Sequence, residues 1–203
     1  MTNWKFLKYT SRILIVGLIL SGCLQSDYTK LVKSELAKGI RQDSILLGVR
    51  FGDTQNDYFG KCFDLNSKKL VTQGPSGIMV QYLFTDSVVH KEPTQMKLLF
   101  EPSFDEARKI TDMEFEISYL GWAPWNEQLQ SDMLEDKVMK LLLSWYGGND
   151  FITIKLNDAD TPVKLDGNRR IMVRIKDAQS VLVKVEDILH PKFKHSVQVE
   201  ERK

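Results

Sequence analysis

The residues able to do chemistry are few, and their spacing suits none of the common reactions. Histidines stand at 90, 190 and 195. His190 and His195 are five apart across Pro191, whereas a helical zinc pair sets two imidazoles on one face a single turn apart. They are expected at the surface or in the tail. Asp158, Asp160 and Asp166 lie close together, but Pro162 and their spacing miss the calcium-loop pattern, so they read as turn residues. Glu114 and Glu116 fall two apart in an alternating segment and point to one face of a strand. Paired carboxylates serve glycosidases, yet an exposed acidic face accounts for this pair without chemistry. No Gly-x-Ser-x-Gly, Walker loop or dinucleotide fingerprint occurs. The expectation is a chain without catalysis, metal or cofactor.

Two further positions carry binding or reactive potential. Cys62 falls on the apolar side of a helical segment and reads as a buried structural thiol, since Lys61 alone is thin support for a thiolate. The segment Leu120-Gly121-Trp122-Ala123-Pro124-Trp125 sets two indoles around a proline. Trp122, Pro124 and Trp125 are the candidate protein contact, because tryptophan is enriched at interface hot spots. The alternative is that both rings cap the core where a strand turns into a helix.

The elements that would position these residues alternate between helical and strand periods. The chain has 203 residues, 42% hydrophobic and 27% charged, with 28 Lys+Arg against 27 Asp+Glu. That composition is globular and gives no basic field for nucleic acid. Leu31, Val32, Leu36 and Ile40 recur at helical spacing. Ile45–Val49 suits a short buried strand. Thr54 with Asp57 forms a capping-box pattern that opens a second helix, carrying Phe59, Cys62, Phe63 and Leu70 and running to about Lys69. Alternation over 78–84, 96–100 and 113–119 predicts three strands. A helix over 126–146 follows, with Leu129, Met133, Val138, Leu141, Leu142 and Trp145 as its apolar stripe. Strands then recur over 152–156, 162–165, 171–175 and 181–185, with Asp166-Gly167-Asn168 as one turn. The wet faces of the last hairpin, with Arg174, Lys176, Lys184 and Glu186, suit cross-strand ion pairs. The order predicts an α+β fold, an antiparallel sheet with helices packed on one face. Two tandem modules of a helix plus three strands are a further reading, with halves at 45–120 and 121–190 and a flexible tail over 191–203.

Residues 1–23 combine Lys5, Lys8 and Arg12 with the apolar run Ile13–Leu20, the order of a secretory signal and too short to span a bilayer. The ending Leu20-Ser21-Gly22-Cys23 resembles a bacterial lipobox. That resemblance implies that Cys23 receives a diacylglycerol, that residues 1–22 are removed, and that the new amine is acylated. Residues 23–30 would then tether a domain spanning 31–190 to the membrane. Leu24 in place of an aspartate implies transfer to the outer membrane, with the domain in the periplasm. Loss of Lys5, Lys8 and Arg12 leaves the mature chain slightly acidic, with Cys62 as its one remaining thiol and no intrachain disulfide.

Val49-Arg50-Phe51-Gly52-Asp53-Thr54, followed by a capped helix and a strand meander, resembles the start of two related families. These are the small lipoproteins of the outer-membrane barrel-assembly machinery and the β-lactamase inhibitor proteins. Both carry Gly-Met-Thr here, where this chain has Gly52-Asp53-Thr54. The resemblance implies a non-catalytic module that binds proteins through its sheet face. The leading expectation is therefore a lipid-anchored envelope protein that binds or scaffolds a protein partner. A small-ligand or lipid carrier is the alternative, with Phe59, Phe63, Trp145 and Tyr146 lining or filling a cavity. A cell-wall hydrolase comes third.

Overall fold

In the computed structural model, residues 27–87, 94–156 and 159–193 are described. Its helices are α1 (Asp27–Ala37), α2 (Gln55–Ser67) and α3 (Ser131–Tyr146). Its strands are β1 (Ser44–Leu46), β2 (Val49–Arg50), β3 (Val71–Gln73), β4 (Val80–Asp86), β5 (Thr94–Phe104) and β6 (Ile110–Tyr119). These are followed by β7 (Ile152–Leu156), β8 (Ala159–Asp166), β9 (Arg169–Ile175) and β10 (Ser180–Asp187). The fold is α+β: β1 and β2 form a small hairpin, and the other strands form one antiparallel sheet in the order β3-β4-β5-β6-β10-β9-β8-β7. That order reads alike from both ends. Each half runs helix then meander, and the last strand of each meander, β6 and β10, pair at the centre.

The helices begin and end where local chemistry sets them. The Thr54 hydroxyl accepts from the Asp57 N–H, and the Asp57 carboxylate accepts from the Thr54 N–H, so the expected capping box opens α2. α3 ends at Gly147 (φ 58), whose N–H donates to the Leu143 carbonyl at 2.8 Å. Several sequence expectations are corrected nearby. α2 stops at Ser67, and the chain returns as β3, so the first half has four strands rather than three, while the second has the four that alternation marks there. A single three-residue strand carries too little pattern to be read from alternation. Residues 127–129 form a 3₁₀ turn, and α3 starts at Ser131.

Register assigns every strand residue to a face. Phe115 stands opposite both Phe100 and Val183, and Val183 stands opposite Val173. These side chains form the inner face, which α2 and α3 cover. Leu134, Val138 and Leu142 of α3 and Tyr58 of α2 join them in one core drawn from both halves. Phe59 and Phe63, expected on the buried side of α2, are 55% and 74% exposed, and Tyr58 takes their place. Met133 of the α3 stripe is also exposed.

The helices do not all lie on one face. Tyr28 and Val32 of α1 pack on Val163 and Leu165 of β8 and on Ile188. Val163 stands opposite Met172 and Leu165 opposite Arg170, positions that alternate with the inner-facing Ile171 and Val173. α1 therefore covers the outer face over β7 to β9, while the outer face over β4 to β6 carries none of the described helices. Because α1 starts at Asp27 and buries Tyr28 and Thr29, residues 27–30 of the expected tether belong to the fold. Likewise Phe193, within the expected tail, is buried in the 3₁₀ turn Pro191–Phe193.

Candidate functional site

A concave feature of ligand-site size grows out of a strained hairpin. β1 and β2 pair Leu46 with Val49, leaving a two-residue turn, Leu47-Gly48. Both turn residues have positive φ, 50° and 83°. Such turns favour Asn-Gly, and a leucine held there costs about 1–2 kcal/mol. Its side chain forms part of the wall of a cleft of about 620 Å³ between this hairpin, the end of β4 and the end of α3. That volume falls within the usual ligand-site range of roughly 300–1,000 Å³.

Aromatic rings form the other walls. Tyr82 and Phe84, two apart on β4, stack with centroids 5.4 Å apart and planes at 13°. Trp145 meets Phe84 edge-on at 5.7 Å. Tyr146 donates its hydroxyl to the Ile45 carbonyl at 2.6 Å, and the Arg169 guanidinium lies 4.3 Å over its ring. Burial holds the Tyr146 phenol well above its ordinary pKa, so it stays a donor throughout the physiological range. Asp86 and Ser87 at the end of β4 add polar lining.

The hairpin side of the cleft is fixed by buried polar contacts around the β8–β9 turn. Arg169 donates to the Ser44 carbonyl at 3.0 Å, and the Gln42 N–H donates to Asn168 Oδ1 at 2.6 Å. Asn168 also donates to Asp187 Oδ1 at 3.0 Å. Gly167 (φ 55) passes so close to the preceding segment that a Cβ would sit 2.2 Å from the Ile40 carbonyl oxygen, which only glycine tolerates. Lys164, fully buried, lies 2.7 Å from Asp166 Oδ2 and donates to the Asn149 carbonyl. Asp166, read from sequence as a plain turn residue, is thus half of a buried ion pair. Arg169 Nε is buried with no hydrogen-bond partner among the described residues.

Glu35 ties α1 into the same network. It accepts from Asn149 Nδ2 at 2.8 Å, from the Gly167 N–H at 3.1 Å and from Lys38. Burial pushes its carboxyl pKa upward, but those donors outweigh burial and hold it below its ordinary value. A carboxyl with a lowered folded-state pKa stabilises the fold above its unfolded value, and this contribution disappears as pH falls through the folded one. Asp112, where Lys192 and Thr111 overcome burial, has the same sign. Stability in urea is therefore expected to drop on acidification below about pH 4.5, and Glu35→Gln should flatten that drop. An acid limb unchanged by Glu35→Gln would remove Glu35 from the linkage.

The structure places the residues singled out from sequence as follows. Trp125 is 84% exposed, Pro124 is exposed, and Trp122 is half-buried with its indole N–H buried and unpartnered among the described residues. Cys23 lies outside the described residues, as do Asp158, His90 and His195. Glu116 pairs with Lys176 at 2.6 Å, and Lys184 stands opposite Glu114 in register; the two carboxylates face cross-strand cations. Glu186, expected on a wet face, is instead buried against Arg170. His190 is partly buried, 3.5 Å from Asp105. Cys62 is half-buried, and burial pushes its thiol pKa up. Among the described residues no group of His, Cys, Asp and Glu is placed to hold a metal, and no helix is long and apolar enough to cross a membrane.

Of the four aromatics considered for a cavity, Trp145 and Tyr146 line the cleft and Phe59 and Phe63 do not. Sequence reading missed Leu47, Phe84 and Arg169 as a group. The Tyr-x-Phe alternation was visible, but Ile45–Val49, expected as a strand, is instead two short strands around the Leu47-Gly48 turn, and nothing local says that these residues converge.

Comparison with protein-family profiles, with curated proteins and with solved structures returned no match. The resemblance to barrel-assembly lipoproteins and β-lactamase inhibitors therefore rests on residues 49–54 and the order of elements.

Proposed function

We propose that this chain is a lipid-anchored protein of the bacterial cell envelope, acting without catalysis as a binding module for a protein partner. The observation that carries the reading is that the preformed cleft adjoins a second hollow bordered by exposed leucines. Phe84 and Thr85 also line this hollow, of about 160 Å³, with Leu83, Gln95 and Leu120. Leu83 and Leu120 are 48% and 47% exposed, and the loop bearing Trp125 departs from Leu120. Recognition spread over clefts and exposed apolar residues suits a protein surface better than an enclosed small molecule. The lipobox at Leu20-Ser21-Gly22-Cys23 supports the anchor and the periplasmic setting.

A second reading, a small-ligand or lipid carrier, is favoured by the cleft volume and its aromatic walls. Photo-crosslinking in intact cells separates the two. A photoreactive residue at Leu47 or Trp125 is expected to capture one protein, and the same residue at Ser34 on α1 should not. Trp125→Ala should weaken that capture while shifting stability by less than about 0.5 kcal/mol, as expected for an exposed side chain. Capture of lipid or small molecules alone at Leu47 would move the assignment to the carrier.

A further inference from the structure

We propose that the free edge of β4 takes up an extended segment of the partner protein as an added strand, with its alternate side chains seated in the two clefts. This inference rests on the binding-module reading and names its recognition mode.

The edge is defined by register. β3 pairs with β4 only from Gln73↔Val80 to Val71↔Tyr82, while β4 continues to Asp86 and pairs on its other side with β5 throughout. Beyond Tyr82, no described strand lies on the β3 side. The direction of the backbone groups follows from hydrogen bonds at both flanks. The Gly74 N–H donates to the Met79 carbonyl at 2.8 Å, and the Leu120 N–H donates to the Gln95 carbonyl at 3.1 Å. In an antiparallel ladder, successive residues direct both backbone groups to opposite sides. The first bond points Met79, Gln81, Leu83 and Thr85 toward the β3 side. The second points Met96 and Leu98 of β5 toward β4, which assigns Tyr82 and Phe84 to the β5 ladder. Both routes leave the N–H and C=O of Leu83 and Thr85 aimed at the open edge.

The surroundings of this edge suit a strand. Its open stretch among the described residues, 83–85, is about 10 Å long. A residue added beside Phe84 would direct its side chain to the inner face, where the 620 Å³ cleft lies. Its neighbours beside Leu83 and Thr85 would direct theirs to the outer face, toward the 160 Å³ hollow floored by Leu83 and Leu120. Strand addition draws affinity from main-chain hydrogen bonds and specificity from such alternating pockets. Among the described residues this edge also lacks the usual protection. β7, at the far end of the sheet, carries Lys155 and pairs with a strand containing Pro162, whereas Leu83-Phe84-Thr85 offers neither charge nor proline. The rings of Tyr82, Phe84 and Trp145 in the first cleft and the leucines of the second favour a segment with apolar residues at alternate positions, set beside polar lining from Gln42, Ser44, Arg169 and Gln95.

The test uses the full chain in detergent and peptides selected on it from a random phage-displayed library, then synthesised. Selected peptides are expected to alternate apolar residues and to slow hydrogen exchange at the Leu83 and Thr85 amides. Thr85→Pro removes the outward N–H and leaves the β5 ladder intact. It should weaken peptide binding about tenfold at unchanged melting temperature, since it removes one main-chain bond and leaves a peptide carbonyl unpaired. N-methylating the peptide at alternate positions should reproduce the loss, while methylation at the intervening positions should not. Binding indifferent to Thr85→Pro and to N-methylation overturns strand addition, as does failure to select any peptide. Strong protection of the Thr85 amide without peptide also overturns it, by showing that the chain's own segment fills the edge. In-cell capture from Leu47 that persists in Thr85→Pro would keep the binding-module reading while strand addition falls.

Discussion

Replacing Arg170 with alanine is expected to cost about 3–5 kcal/mol of folding stability, a large share of the roughly 5–15 kcal/mol that a domain possesses. Arg170 and Glu186 are each 3% exposed. The guanidinium donates to Glu186 Oε2 from Nε at 2.9 Å and from Nη2 at 2.6 Å, and to the Tyr28 hydroxyl from Nη1 at 2.8 Å. Truncation would leave the Glu186 carboxylate buried with Lys184, 3.2 Å from its other oxygen, as its one counter-charge among the described residues. It would also open a hole beneath Tyr28, the residue through which α1 sits on the outer face. Urea unfolding gives the magnitude, and hydrogen exchange should show α1 losing protection first. The double variant Arg170→Met with Glu186→Leu separates charge from packing. It is expected to recover most of the loss, because a buried pair replaced by apolar residues of similar size is often neutral. A cost below 1 kcal/mol for Arg170→Ala would mean that water reaches Glu186 freely and that the pair is not what docks α1.

The contrast between Arg170 and Phe59 shows what the sequence exposes and what it hides. Strict alternation in β6 announces the strand, because one dry face and one wet face force a period of two. The same logic misplaces Glu186, since an alternating polar residue is wet only where nothing covers that face. α1 covers it, and a helix drawn from a hundred and more residues away leaves no mark on the local pattern of β10. Phe59 and Phe63 fail in the opposite direction: their spacing suits a buried stripe, but Tyr58 and Leu65 turn inward instead. The capping box of α2 was legible because Thr54 and Asp57 act only on each other and the first helical turn. The cleft was not, because Leu47, Phe84 and Arg169 belong to three elements brought together by the sheet order. The Asp166-Gly167-Asn168 turn was visible as a turn, while its role as the anchor of the Gln42–Ser44 segment needed the fold.

Replacing Cys23 with alanine is expected to abolish acylation altogether, the largest change any single substitution should make. The thiol at the end of Leu20-Ser21-Gly22-Cys23 is the acceptor that the lipobox reading requires, and a hydroxyl or methyl cannot take its place. Each buried methylene contributes about 0.8 kcal/mol to membrane binding, so a two- or three-chain anchor holds through washing that strips peripheral proteins. Only three residues separate Cys23 from Asp27, where α1 begins, so the four steps between them would hold α1 no more than about 14 Å from the anchor. Sedimentation alone cannot report the loss, since an uncleaved variant retains the apolar run Ile13–Leu20. The decisive readouts are incorporation of labelled palmitate and the mass of the intact chain. The native protein should take up the label and begin at an acylated Cys23, and Cys23→Ala should take up none and retain residues 1–22. Label retained in the variant would place the acceptor elsewhere, and a native chain cleaved without acylation would make residues 1–22 an ordinary export signal.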